Sequence, residues 1–236
     1  MATSTINATY QGYVGVFYSN TLVNWTANVR NAATGTFAAT YTSNVTANSA
    51  ILSTLTSGRT GYNGSCNRVF LFFDLSSISG TISAATLKVF AGTSSTATQT
   101  IVVEGTAWGG GGGTSTLSTG DYDSLDHATA YSSKKLSWQG VAYNDFTMNA
   151  TAISDMNTNG YLNCAVIEGD YDYDNQNPSV GTTVSAGVEY LDPTNKIKLD
   201  ITYTTGYGND VIGVSSTTIV NVIGVATADI DNIIGV

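Results

Sequence analysis

Residues 67–78 read Asn-Arg-Val-Phe-Leu-Phe-Phe-Asp-Leu-Ser-Ser-Ile, and the apolar run Val69 to Phe73 inside them decides the fold. Five consecutive apolar side chains, three of them aromatic and bounded by polar glycine- and serine-rich stretches, predict a strand buried on both faces. Working outward, Ala85–Phe90 alternates inward Leu87 and Val89 with outward Thr86 and Lys88, and Thr100–Glu104 forms a third strand. Upstream, Tyr13–Tyr18 and Phe37–Tyr41 are the clearest strands. Downstream, 114–148 reads as a long connection with partial structure, Phe146–Met148 being a brief strand. A short helix is expected over Asn149–Asn157, with Ala152, Ile153 and Met156 on one face and Asn159-Gly160 as its stop. Tyr161–Ile167 is a core strand, and Val184–Tyr190 with Ile197–Tyr203 make a closing pair. About ten strands without sustained helices predict an all-β chain: an antiparallel β-sandwich of jelly-roll type. It should occupy residues 1–205, with a repeat tail over 206–236.

Composition narrows the function. Charged residues are 11% of the 236, against roughly 25% in an ordinary globular protein, so the surface must be built of Thr, Ser, Asn, Gly and Tyr. The formal net charge of −9 and eight scattered basic residues argue against nucleic acid. No apolar run approaches the roughly eighteen residues of a membrane span. The first twenty residues lack the basic and apolar regions of a signal peptide, which predicts work in the cytoplasm or export within an assembled particle. Cys66 and Cys164 are far apart. A bridge between them would contribute about 4–5 kcal/mol in the chain-entropy model; two buried thiols in neighbouring strands is the alternative, and it suits a chain without an export signal.

Catalytic chemistry has little to stand on. His127 is the single histidine, expected in an exposed loop, and no serine sits in a G-x-S-x-G elbow. Glu104, Glu168 and Glu189 are the carboxylates available for glycoside hydrolysis, with no separation legible. A non-enzymatic chain is therefore expected. In the acidic loop 168–175, Asp170, Asp172 and Asp174 alternate with tyrosines, so an extended backbone would bring all three to one side, where a calcium ion would relieve their repulsion. A solvated turn is the plainer reading. Trp108 and Trp138 are candidate sugar-stacking residues, set against core packing, the default for such aromatics.

After Gly206 the sequence changes character. Val-Ile-Gly-Val elements begin at Val211 and Val222 and an Ile-Ile-Gly-Val element at Ile233, eleven residues apart. The candidate assembly residues are Val211, Ile212, Val214, Ile219, Val222, Ile223, Val225, Ile230, Ile233, Ile234 and Val236. An eleven-residue period also suits a right-handed helical supercoil, but β-branched residues and a glycine in each repeat favour short strands. Burying each Val or Ile is worth roughly 1.5–3 kcal/mol. The tail is too short to enclose them, so it should dock, either on other copies or back on its own sandwich.

The order Asn67–Ile78, then Ser83-Ala-Ala-Thr-Leu-Lys-Val-Phe90, a mid-chain Trp108, the helix near Ala152-Ile153 and the closing Lys198-Leu-Asp-Ile-Thr-Tyr203 resembles the DNRLRE-type domains. These β-sandwich domains of secreted enzymes and surface proteins are also grouped with carbohydrate-binding modules. The resemblance spans residues 50–205 and departs at Gly109–Gly113, where acidic and aromatic residues are usual. Three roles are expected in descending order. The first is a structural virion protein of phage-like type (a surface, fibre or decoration subunit) assembled in the host cytoplasm and joined by its tail to copies of itself and other particle proteins. The second is an extracellular carbohydrate-binding module with glycans as partners, and the third a subunit of a cellular surface filament.

Overall fold

The computed structural model describes residues 1–21, 25–41, 47–50, 52–56, 62–91, 99–107, 116–136, 138–178, 183–184, 187–190, 197–205, 221–222 and 225–226. In chain order the strands begin with β1 (Ala2–Asn7), β2 (Tyr10–Thr21), β3 (Phe37–Tyr41), β4 (Ala47–Ala50) and β5 (Leu52–Thr56). Then come β6 (Tyr62–Asp74), β7 (Gly80–Ala91), β8 (Thr100–Gly105), β9 (Leu125–Ala130) and β10 (Ala142–Thr147). Helix α1 (Ala150–Asn159) precedes β11 (Tyr161–Glu168), β12 (Thr183–Val184), β13 (Gly187–Tyr190) and β14 (Lys198–Thr205). Two short strands, β15 (Asn221–Val222) and β16 (Val225–Ala226), pair with each other in the tail.

These strands make the expected all-β sandwich. The smaller sheet runs β1-β14-β7-β10, all antiparallel. The larger sheet is built on the thirteen-residue β6. One side of β6 carries β2, with β3 outside it; the other side is shared by β5 along Tyr62–Cys66 and β11 along Val69–Asp74. Beyond β11 come β8 and β9. The chain changes sheet repeatedly, from β6 to β7, back to β8, across to β10 and back to β11.

The alternation of β6 explains its apolar run. Val69, Leu71 and Phe73 enter the core between the sheets, with Leu87 and Val89 of β7 and Leu199 and Ile201 of β14 opposite. Phe70 and Phe72 point the other way, into a second core that contains Trp25, Val29, Leu117 and Tyr122 from connecting segments. The larger sheet is thus covered twice, by a sheet on one face and by loops on the other. Cys66 lies in the second core and Cys164 in the first, and both are free thiols. They stand in neighbouring strands β6 and β11 but on opposite faces, which rules out a bridge between them.

Helix α1 follows the local signals. Asn149 caps it through a hydrogen bond donated by the Ala152 N–H to Asn149 Oδ1 at 3.1 Å, and Gly160 ends it at φ +71°. Replacing Asn149 with alanine should cost about 1 kcal/mol in urea unfolding.

Two expectations need correction. The stretch 114–148 is more ordered than expected, holding β9 and all of β10. Val184–Tyr190 is not one strand of a closing pair: β12 pairs with β5 and β13 with β4, while β14 closes against β1 and β7. Strand β1 was not among the strands expected from the sequence: it is a sheet edge with only Ile6 packed on the core, so it carries no alternating apolar signal.

Candidate functional site

The acidic loop does not form an extended row. Gly169–Tyr173 is a single π-helical turn, started by Glu168, whose buried carboxylate accepts from the N–H groups of Asp170, Tyr171 and Asp172 at 2.5 to 3.1 Å. Gly-Asp-Tyr-Asp lets the chain turn because Glu168 satisfies the free amides of the first turn. The turn separates the three carboxylates. Asp172 faces inward and is fully buried, whereas Asp170 and Asp174 face the Lys134 ammonium at the rim. They are not brought to one side, so the calcium expectation loses its geometric basis. Among the described residues no group of three or more His, Cys, Asp or Glu side chains is gathered as a metal cage.

Asp172 meets Arg68, which follows Cys66 and precedes Phe70 on the loop-covered face of β6 and is itself fully buried. The pairing is bidentate, Nε to Oδ2 at 3.0 Å and Nη2 to Oδ1 at 2.7 Å. The other guanidinium N–H groups reach the carbonyls of Tyr122 at 2.8 Å and Arg30 at 2.6 Å and the Asp123 carboxylate at 3.4 Å. All five donors of the fork have acceptors, and the guanidinium lies 4.0 Å over the Tyr122 ring. Burial alone would raise the Asp172 carboxyl; the Arg68 charge, with His127 and the Arg68 hydrogen bonds, overrides it and holds the group well below the carboxylate range. His127 corrects the exposed-loop expectation: it stands in β9, largely buried, with Nε2 3.3 Å from Asp172 Oδ1. Around this centre Arg30 Nε donates to the Asp172 carbonyl at 3.0 Å and the Trp25 indole N–H to the Tyr171 carbonyl at 3.0 Å. The arrangement ties three distant loop segments to the sheet.

Trp138 is buried between the sheets, its indole N–H donating to the Gly187 carbonyl at 3.1 Å, so it packs the core and offers no stacking face. Trp108, Val211 and the remaining tail positions outside β15 and β16 lie outside the described residues.

A second polar site opens at the edge of the sandwich, where β8 ends, β11 begins and α1 passes. It is a cleft of about 180 Å³ with Glu104, Tyr131, Asp155, Asn159, Tyr161 and Asn163 in its wall. The Tyr131 hydroxyl donates to Asp155 Oδ2 at 2.7 Å. Asn163 donates to the Ala107 carbonyl at 2.7 Å, and its buried Oδ1 has no donor. Burial raises the Glu104 carboxyl, and the charges of Asp155 and Asp126 raise it further. Of these residues only Glu104 was visible as a candidate. Asn163 carries a signal in hindsight, as the one polar side chain inside Leu162–Ile167; nothing in the sequence joins Asp155 to Glu104.

No family model matches the chain, and no curated protein is similar to it.

Proposed function

We propose that the chain is a non-enzymatic structural subunit of a phage-like particle, a surface, fibre or decoration protein. The observation that carries this reading is the eleven-residue register of Val211, Val222 and Ile233 after the last sandwich strand. Three copies of one apolar motif have no use in a solvated linker, and they suit stacking against like segments. The antiparallel pairing of Val222 with Val225 supports extended backbone over a helical supercoil. The sandwich faces outward with its weakly charged, hydroxyl-rich surface, and the tail holds copies together. The DNRLRE-type resemblance agrees with a surface location.

The test compares the solution mass of the full chain with that of a version ending at Gly206. A trimer or larger assembly is expected for the first and a monomer for the second, with the same sandwich melting transition. Equal monomer masses would overturn the proposal.

A further inference from the structure

The smaller sheet ends at β1, while the larger sheet continues outward past β6 through β2 and β3. We infer that the open place beside β1 receives the tail hairpin, β15 and β16, of a neighbouring copy, which joins the smaller sheet through backbone hydrogen bonds. The inference rests on the reading of the tail as an assembly element and names the surface on which it docks.

The edge is unprotected. Among the described residues β1 pairs with β14 on one side and with no strand on the other. The Ala8 N–H donates to the Ile197 carbonyl at 2.9 Å. Alternation along an antiparallel ladder then directs the N–H and C=O groups of Thr3, Thr5 and Asn7 away from β14, into the open place. Solvent-facing edges are commonly blocked by a charge, a proline or a bulge. Ala-Thr-Ser-Thr-Ile-Asn has neither charge nor proline, and it pairs with β14 in unbroken register. At the other end of the same sheet, β10 carries the charged Asp145.

The floor of that place is aromatic. Register puts Tyr13 of β2 and Phe37 and Tyr41 of β3 on the inter-sheet side, the side of Val69 and Leu71 of β6. Tyr13 meets Phe37 edge-on with centroids 5.9 Å apart, and its ring lies 6.3 Å from that of Tyr41. Tyr13, Tyr41 and Ile6 of β1 all border the core between the sheets, and the three rings are only half-buried. Phe17, on the same face of β2, is 60% exposed. A further strand beside β1 would cover apolar area that the sandwich leaves in water.

The tail hairpin has the matching pattern. In its register Val222 stands opposite Val225 and Asn221 opposite Ala226, so alternate positions separate a valine pair from an Asn–Ala pair. Docked with the valine pair toward the rings, it adds backbone partners for β1 and an apolar cover for the floor. Neither β1 nor these four residues carry a charge, so no like charges hold them apart. The tail also starts beside the edge: it follows Thr205, and Tyr203 faces Ala2 at the beginning of β1. Each copy presents one β1 edge and three repeats, so docking on its own sandwich leaves repeats over, and these reach a neighbour.

The experiment measures solution mass and melting temperature of the full chain carrying Thr5→Pro or Thr5→Ala. Proline is tolerated on an edge strand where the lost N–H faces outward, so Thr5→Pro keeps the β14 ladder and blocks strand addition. Thr5→Ala loses the hydroxyl bond to Asp200 at 2.6 Å and keeps the N–H. Thr5→Pro should turn the assembly into monomers while melting within about 4 °C of the parent, and Thr5→Ala should stay assembled. Amide exchange supplies a second readout that needs no variant. Exchange at Thr3, Thr5 and Asn7 should be at least about tenfold slower in the assembled full chain than in a version ending at Gly206. An assembled Thr5→Pro chain, or equal exchange in the two lengths, would overturn this docking place and leave the tail's part in assembly standing. A monomeric full chain with slowed exchange at β1 would overturn the neighbour as occupant, since the hairpin would then cover its own sandwich.

Discussion

Asp172→Ala should lower folding stability by about 3–5 kcal/mol, the loss seen when one partner of a buried ion pair is removed. Arg68 would keep its charge with only the half-exposed Asp123 carboxylate, 3.4 Å away, left against it, where Asp172 had been its fully buried bidentate partner. Replacing both partners together, as Arg68→Met with Asp172→Leu, should recover much of that loss. Urea unfolding of the single and double variants checks both statements; a single variant within 1 kcal/mol of the parent would show that the pair does not hold the loops. The pH dependence follows from the same geometry. Asp172 is held below its unfolded value of about 3.9. Its contribution is therefore complete above that value and is lost as the pH falls below about 4 toward the folded value. Asp172→Asn should remove this part of the acid slope.

Phe73→Ala and Phe70→Ala should each cost about 3–5 kcal/mol, although they empty different cores. Phe73 packs between the sheets and Phe70 beneath the loops, and neither is solvent-accessible. Equal losses by chemical denaturation would mean that the loop layer unfolds with the sandwich. A Phe70→Ala loss below about 1 kcal/mol, far under the usual range for a buried aromatic, would mean that the loops open on their own while the two sheets remain.

The strands that were legible in the sequence are those whose two faces differ, or whose faces are both apolar. Leu87 and Val89 point inward as their alternation indicates, and Val69–Phe73 is buried on both sides. Helix α1 was legible because both of its ends carry chemical stops, Asn149 and Gly160. The polar sites were much less so. Arg68 stood just outside the apolar run Val69–Phe73, in the polar stretch read as its boundary, and its partner lay 104 residues away. The Asp-Tyr alternation of 170–174 suggested an extended segment because side-chain period was the available signal. The capping carboxylate of Glu168 and the pull of Arg68 turned it into a helical loop instead. Trp138 followed the core-packing default for such aromatics, although nothing local showed that the Gly187 carbonyl would accept its N–H.

Strand β1 pairs along its length with β14, Ala2 opposite Tyr203 and Asn7 opposite Lys198. During synthesis the first strand therefore waits for β14, the last strand of the sandwich, a delay of roughly 10–40 s at 5–20 residues per second. Until then β7 lacks the neighbour that separates it from β1, and its open edge is a template for any other nascent chain. The open edge closes only when β14, which follows β1 by nearly the whole sandwich, has been made, so the N-terminal strand must be kept from other partners for most of the synthesis of the domain.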